Sequence, residues 1–192
     1  MLLGRLVLRI ALWFAPCVVA WYFIAPWADA LVASGARILI GGVLPGVVRQ
    51  AEVAAGELTF ETAIAAPGGG GVLTVDVNPL LYSYGIALYA AIVLGARTRG
   101  AWWTLPVGVA VVVAITAWGV AFDFMAHLVR SAPGALASLG AGTVSRNLIA
   151  LGYQMGSLLF PAVIPAALAL AIARKELLPT ATDAGERGRV AE

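Results

Sequence analysis

Asp123, His127 and Arg130 follow one another at spacings of four and three residues, which on a helix continuing past Phe122 puts all three on one face. There the carboxylate can orient the imidazole or pair with the guanidinium one turn further on. Two readings fit that set: a polar contact or proton-handling site at a membrane surface, or a solvated helix end whose charges reach the headgroups. A second group comprises Asp76, Asn78 and Tyr82. Asn78-Pro79 is a natural helix start, since Asn accepts from free amides and Pro has no amide to leave unbonded. Asp76, just before it, reads as a capping or exposed strand carboxylate, or as a partner contact. A third group is Gly152, Gln154 and Gly156. Small residues four apart let helix backbones approach, and an amide between them can bridge helices, within this chain or to a separate membrane protein.

Other chemistry has less support. Cys17 and His127 are the only cysteine and the only histidine. The predicted elements put Cys17 inside the first apolar helix and His127 beyond the far end of the third. A thiol–imidazole pair needs an approach of about 3 Å, so Cys17 reads as a packed, inert thiol. One His and one Cys do not make a zinc site, and no metal or other cofactor is expected. Gly68 to Gly71 lack the Lys and the strand–loop–helix setting of a phosphate loop. Glu57 and Glu61 alternate with apolar residues and read as the wet face of a strand. With a formal charge of +2 and no basic patch interleaved with exposed aromatics, nucleic acid is excluded as a partner.

The elements that must position these residues are apolar. Of the 192 residues 61% are hydrophobic and 11% charged, and mean hydropathy is +0.94. Soluble domains carry about 25% charged residues. The apolar residues fall in four uncharged blocks, about 10–27, 79–96, 101–122 and 147–173, each near the roughly 20 residues that a helix needs to cross a bilayer. The chain therefore reads as an all-α integral membrane protein built on a four-helix transmembrane bundle. The first block is too long for a signal-peptide core and no cleavage pattern ends it, so it reads as a retained helix. Eight of the twelve basic residues fall on the side of the two termini, and Arg37, Arg49, Arg130 and Arg146 with six of the ten acids on the other. That asymmetry predicts cytoplasmic termini. Trp102 and Trp103 mark the cytoplasmic surface, and Trp21, Tyr22, Trp27, Tyr82 and Tyr84 the outer one.

The segment 29–78 is the larger outer module. Asp29 is placed to cap a short helix running to about Leu44, apolar and too short to span, and so interfacial. Leu58, Phe60, Thr62 and Ile64 alternate with polar or small residues, as do Leu73, Val75 and Val77, and a glycine run lies between. A small extracytoplasmic β-hairpin follows. Two strands are marginal alone, so the hairpin must pack on the membrane face, the 29–44 helix or another protein. One membrane domain covers 1–178, and the polar residues 179–192 read as a disordered cytoplasmic tail.

Three stretches carry a resemblance: Val75-Asp76-Val77-Asn78-Pro79-Leu80-Leu81-Tyr82-Ser83-Tyr84-Gly85, then Trp118-Gly119-Val120-Ala121-Phe122-Asp123, then Leu151-Gly152-Tyr153-Gln154-Met155-Gly156 with Pro161 and Pro165 beyond. In this order and spacing they resemble the exosortase H-associated membrane proteins, which occur alongside a membrane transpeptidase-like enzyme that processes C-terminal sorting signals. The likeness covers about residues 10–175. It implies a multi-pass protein of the bacterial inner membrane that binds, without catalysing, the sorting enzyme or its substrate's transmembrane tail, and it supplies no catalytic residues. Asp76, Asn78, Tyr82, Asp123, His127 and Arg130 would then form the partner contact. The alternative is a small membrane enzyme in which Asp76, Asp123 and His127 converge at the outer interface.

Overall fold

The computed structural model describes residues 2–54, 56–66, 70–98, 100–138 and 142–177. The proposed tail 179–192, residues 67–69 of the glycine-rich connection and Arg99 lie outside them. The fold is mostly helical, with a small antiparallel sheet inserted after the first helix. In chain order it comprises α1 (Leu2–Val43), β1 (Val48–Ala54), β2 (Glu57–Ala65), β3 (Val72–Val77), α2 (Leu80–Ser83), α3 (Gly85–Gly95), α4 (Ala101–Ser131), α5 (Pro133–Ser138), α6 (Thr143–Gln154), a π-helical turn over Met155–Leu159, and α7 (Phe160–Leu177).

Among the described residues three helical rods are long and apolar enough to cross a membrane: Gly4–Val43, Ala101–Ser131 and Thr143–Arg174. The block expected at 79–96 is apolar but shorter, spanning Leu80–Gly95. At 1.5 Å per residue it is about 24 Å long, against roughly 30 Å of hydrocarbon. Four spanning helices were expected, and among the described residues three have the length and composition to span. Pro16 and Pro26 lie inside α1, and neither breaks it.

Side-chain contacts fix the order along the rods. One end is marked by Ile10, which packs against Gly95 so closely that a Cβ on the glycine would lie 2.8 Å from Ile10 Cγ1. Cys17 is buried with Ala87 and Ala91, and Trp21 Nε1 donates to Ser83 Oγ at 3.2 Å. Beyond Asp29 the same helix meets α4, with Gly35 against Ala117. So α1 runs beside the short helix with its first half and crosses to α4 with its second. The buried Tyr89 fills the space over Gly108 and donates its hydroxyl to the Thr104 carbonyl at 2.6 Å. In the third rod Pro161 and Pro165 withdraw two main-chain donors. The turn just before them winds as a π-helix, a local adjustment that such sites favour.

The sheet has the order β1-β2-β3, with Leu58 opposite Val77 and Phe60 opposite Val75 across the central pair. The alternation read in the sequence has a physical target: Leu58, Phe60, Val75 and Val77 are buried in one cluster with Val32, Ala36 and Ile40 of α1 and Val120, Phe124 and Leu128 of α4. The Phe60 and Phe124 rings sit 5.0 Å apart. The sheet is therefore seated on the crossing of α1 and α4, at the bundle end opposite Ile10 and Gly95.

Two features depart from expectation. Residues 29–44 do not start a separate interfacial helix, because α1 continues unbroken to Val43. Asp29 caps nothing there: its carboxylate is buried inside the fold. The hairpin is also one strand short of what forms, since β1 pairs antiparallel with β2 and completes a three-stranded sheet.

Candidate functional site

The sheet end of the bundle gathers most of the polar side chains that the sequence singled out. On α4, His127 Nδ1 lies 3.2 Å from Asp123 Oδ1 and 3.1 Å from the Asp123 carbonyl oxygen. Both partners are acceptors, which assigns the ring proton to Nδ1 and leaves Nε2 as the atom that Asp123 does not engage. Asp123 itself is buried, while His127 is half-exposed. Tyr82 is buried against Gly119, where a Cβ would lie 2.5 Å from its ring. Its hydroxyl is within electrostatic reach of Asp123, Tyr153 and Arg130.

Arg130, one turn beyond His127 on α4 and exposed, stands 6.0 Å from the centroid of the Tyr153 ring on α6. Between the two helices is a cavity of about 230 Å³, whose lining includes Arg130, Arg146, Ile149, Tyr153 and Gln154. Arg146 donates through Nη2 to the Pro133 carbonyl at 3.0 Å. Its Nε is buried without a hydrogen-bond partner among the described residues. Arg130, Arg146, Tyr153 and Gln154 thus share the lining of one small space with Ala126, Val129, Ile149 and Ala150. Guanidinium donors match carboxylate and phosphate oxygens, so the cavity is chemically suited to an anionic group.

Gly152 and Gly156 face α4. A Cβ on Gly152 would run into the Phe122 ring, and one on Gly156 would lie 3.0 Å from the Cα of Gly119. Trp118 spans the same contact, donating from Nε1 to the Gly152 carbonyl at 3.4 Å and stacking on Phe122 at 4.6 Å. Gln154 lies on another face of α6, exposed and on the cavity wall. Asp76 and Asn78 are engaged elsewhere. Asp76 Oδ1 accepts from Thr59 Oγ1 at 2.7 Å on the outward face of the sheet, and Asn78 Oδ1 accepts from the Leu80 amide at 2.9 Å. The structure therefore brings Tyr82, Asp123, His127 and Arg130 into one neighbourhood and ties Asp76 to the neighbouring strand.

Arg146 and Tyr153 complete this neighbourhood, and the sequence reading assigned neither to it. A signal was present: Arg146, Ile149, Ala150, Tyr153 and Gln154 recur at the three- and four-residue steps of one helix face, and all five line the cavity. Asp29 and its surroundings were likewise missed as a site.

Among proteins already grouped into families, a family model described as exosortase H-associated membrane protein matches residues 1–176 of this chain. No curated protein matches it, and no solved structure does.

Proposed function

The chain belongs to the exosortase H-associated membrane protein family, and from that membership we propose that it is a non-enzymatic accessory of an exosortase-type protein-sorting system in the bacterial inner membrane. It binds the sorting enzyme or the transmembrane tail of the enzyme's substrate. Both termini are cytoplasmic, and the sheet end of the bundle faces outward. The observation that carries the reading is the family match over almost the whole chain. The cavity between α4 and α6 supports it locally, because Arg130 and Arg146 there offer guanidinium donors to an acidic group on a partner. Asp123 and His127 hold the adjoining turn of α4 in place through their own pair.

The reading is tested by capture of the tagged chain in nanodiscs from its native membranes. Exosortase H or a sorting substrate should be recovered with it. The Arg130→Ala, Arg146→Ala double variant should lower that recovery at least about tenfold, since charge-assisted hydrogen bonds contribute roughly twice what neutral ones do. Its yield and detergent melting profile should stay near those of the unaltered chain. Recovery of neither protein, or recovery that the double variant leaves intact, would refute the binding surface.

A further inference from the structure

A second cavity, of about 520 Å³, lies on the other side of the sheet end, and its lining includes Tyr22, Phe23, Pro26, Asp29, Val53 and Leu80. Tyr22, Ala25, Pro26 and Asp29 all line it, and their spacing makes them one face of α1. Asp29 is 1% exposed, and its Oδ2 is buried without a hydrogen-bond partner among the described residues. A carboxylate in that position is strongly disfavoured unless something donates to it. Pro26 has no N–H to give the Tyr22 carbonyl four residues before it. The same face therefore presents two acceptors, one of them a carboxylate. Two aromatic side chains stand beside them, and an aromatic face attracts a cation further.

The level of this cavity in the fold narrows the occupant. Leu80, on its wall, is the first residue of the short apolar helix whose last residue, Gly95, packs on Ile10. The cavity thus lies about 24 Å along that helix from its other end, near the headgroup level of one leaflet. Tyr22, Phe23, Ile24 and Trp27 are exposed around it, and in a membrane such residues border lipid at headgroup depth. We propose that this cavity binds the primary ammonium headgroup of an aminophospholipid, with Asp29 accepting from the ammonium and Tyr22 and Phe23 flanking it. Three N–H donors on one cation match the acceptors on this face. A quaternary choline headgroup has none to give, and a glycerol headgroup brings no positive charge. The inference rests on the chain being a membrane protein and is independent of the sorting role.

Native mass spectrometry of the full chain tests it, after reconstitution in phosphatidylglycerol nanodiscs containing equal amounts of phosphatidylethanolamine and phosphatidylcholine. The unaltered protein should retain phosphatidylethanolamine about tenfold over phosphatidylcholine, as expected of one charge-assisted hydrogen-bonded contact. Asp29→Asn should bring that ratio close to one. Equal retention of the two lipids by the unaltered protein overturns the proposal, whatever the variant does. So does a preference that survives Asp29→Asn. Carbodiimide coupling of carboxylate to amine in native membranes identifies the occupant directly: the expected product is an ethanolamine-lipid amide on Asp29, and a lysine-bearing peptide there overturns the lipid assignment.

Discussion

Phe60→Ala should destabilise this protein by about 3–5 kcal/mol, the range for removing a fully buried aromatic side chain from a packed core. Phe60 is the central inward residue of β2, fully buried, with its ring 5.0 Å from that of Phe124. Leu58, Val75 and Val77 join it on the inner face of the sheet, and Ile40 and Leu128 receive them from the helices. The void would open where the sheet is seated on α1 and α4, and a three-stranded sheet has little independent stability to fall back on. Equilibrium unfolding in mixed micelles checks the magnitude. Hydrogen exchange should show the amides of β1–β3 losing protection before those of α4 and α7. Thr59→Ala gives the contrast: it removes only the outward hydroxyl that bonds Asp76, and about 1 kcal/mol is expected. If Phe60→Ala costs no more than Thr59→Ala, the sheet is not anchored through this cluster.

That cluster shows why part of the fold was legible in the sequence. Strands β2 and β3 alternate strictly because one face lies on α1 and α4 and the other is exposed. Strand β1 does not alternate. A register shift falls between Val48 and Gln50, so its inward residues are Val48 and Ala51, three apart, while Val53 is exposed. A bulge of this kind removes the period on which a strand is recognised. The continuity of α1 was hidden for a different reason. Pro26 and Asp29 have the local chemistry of a helix break followed by a cap, and the tertiary setting overrides it, since Asp29 is buried beside a cavity that Val53 and Leu80 also line. The same fact concealed the larger cavity, since part of its wall comes from Val53, Gly56 and Leu80, remote in sequence. The Asp123–His127 pair was legible because both members lie on a single helix at a four-residue step. The Arg130–Tyr153 contact joins two helices, and no local spacing encodes it.

Gly85→Ala should destabilise the bundle by about 3 kcal/mol, the upper end for overpacking a well-filled contact. A Cβ at this position would lie 2.5 Å from the Pro161 carbonyl oxygen and 2.6 Å from Pro165 Cγ. Neither neighbour can move aside cheaply, because one is main chain and the other a ring fixed to it. The contact follows from the sequence of the third rod. Pro165 has no N–H for the carbonyl four residues earlier, and its ring crowds that carbonyl. The Pro161 oxygen is thus left without its helical donor at the point where the short helix crosses, and the hydrogen that glycine carries in place of a Cβ points toward it. A weak C–H···O contact is available there to glycine and to no other residue. Gly41 provides the reference, since nothing lies within 4 Å of its Cβ position. Gly41→Ala should be neutral or stabilising by up to about 1 kcal/mol, through helix propensity alone. The two variants make the same chemical change, so the difference in their unfolding free energies isolates the crossing. Equal effects would mean that α3 and α7 do not approach at Gly85. A large loss at Gly85 alone would establish that the short helix is held by backbone proximity to α7, which in turn fixes Tyr82 beneath Asp123 at the sheet end.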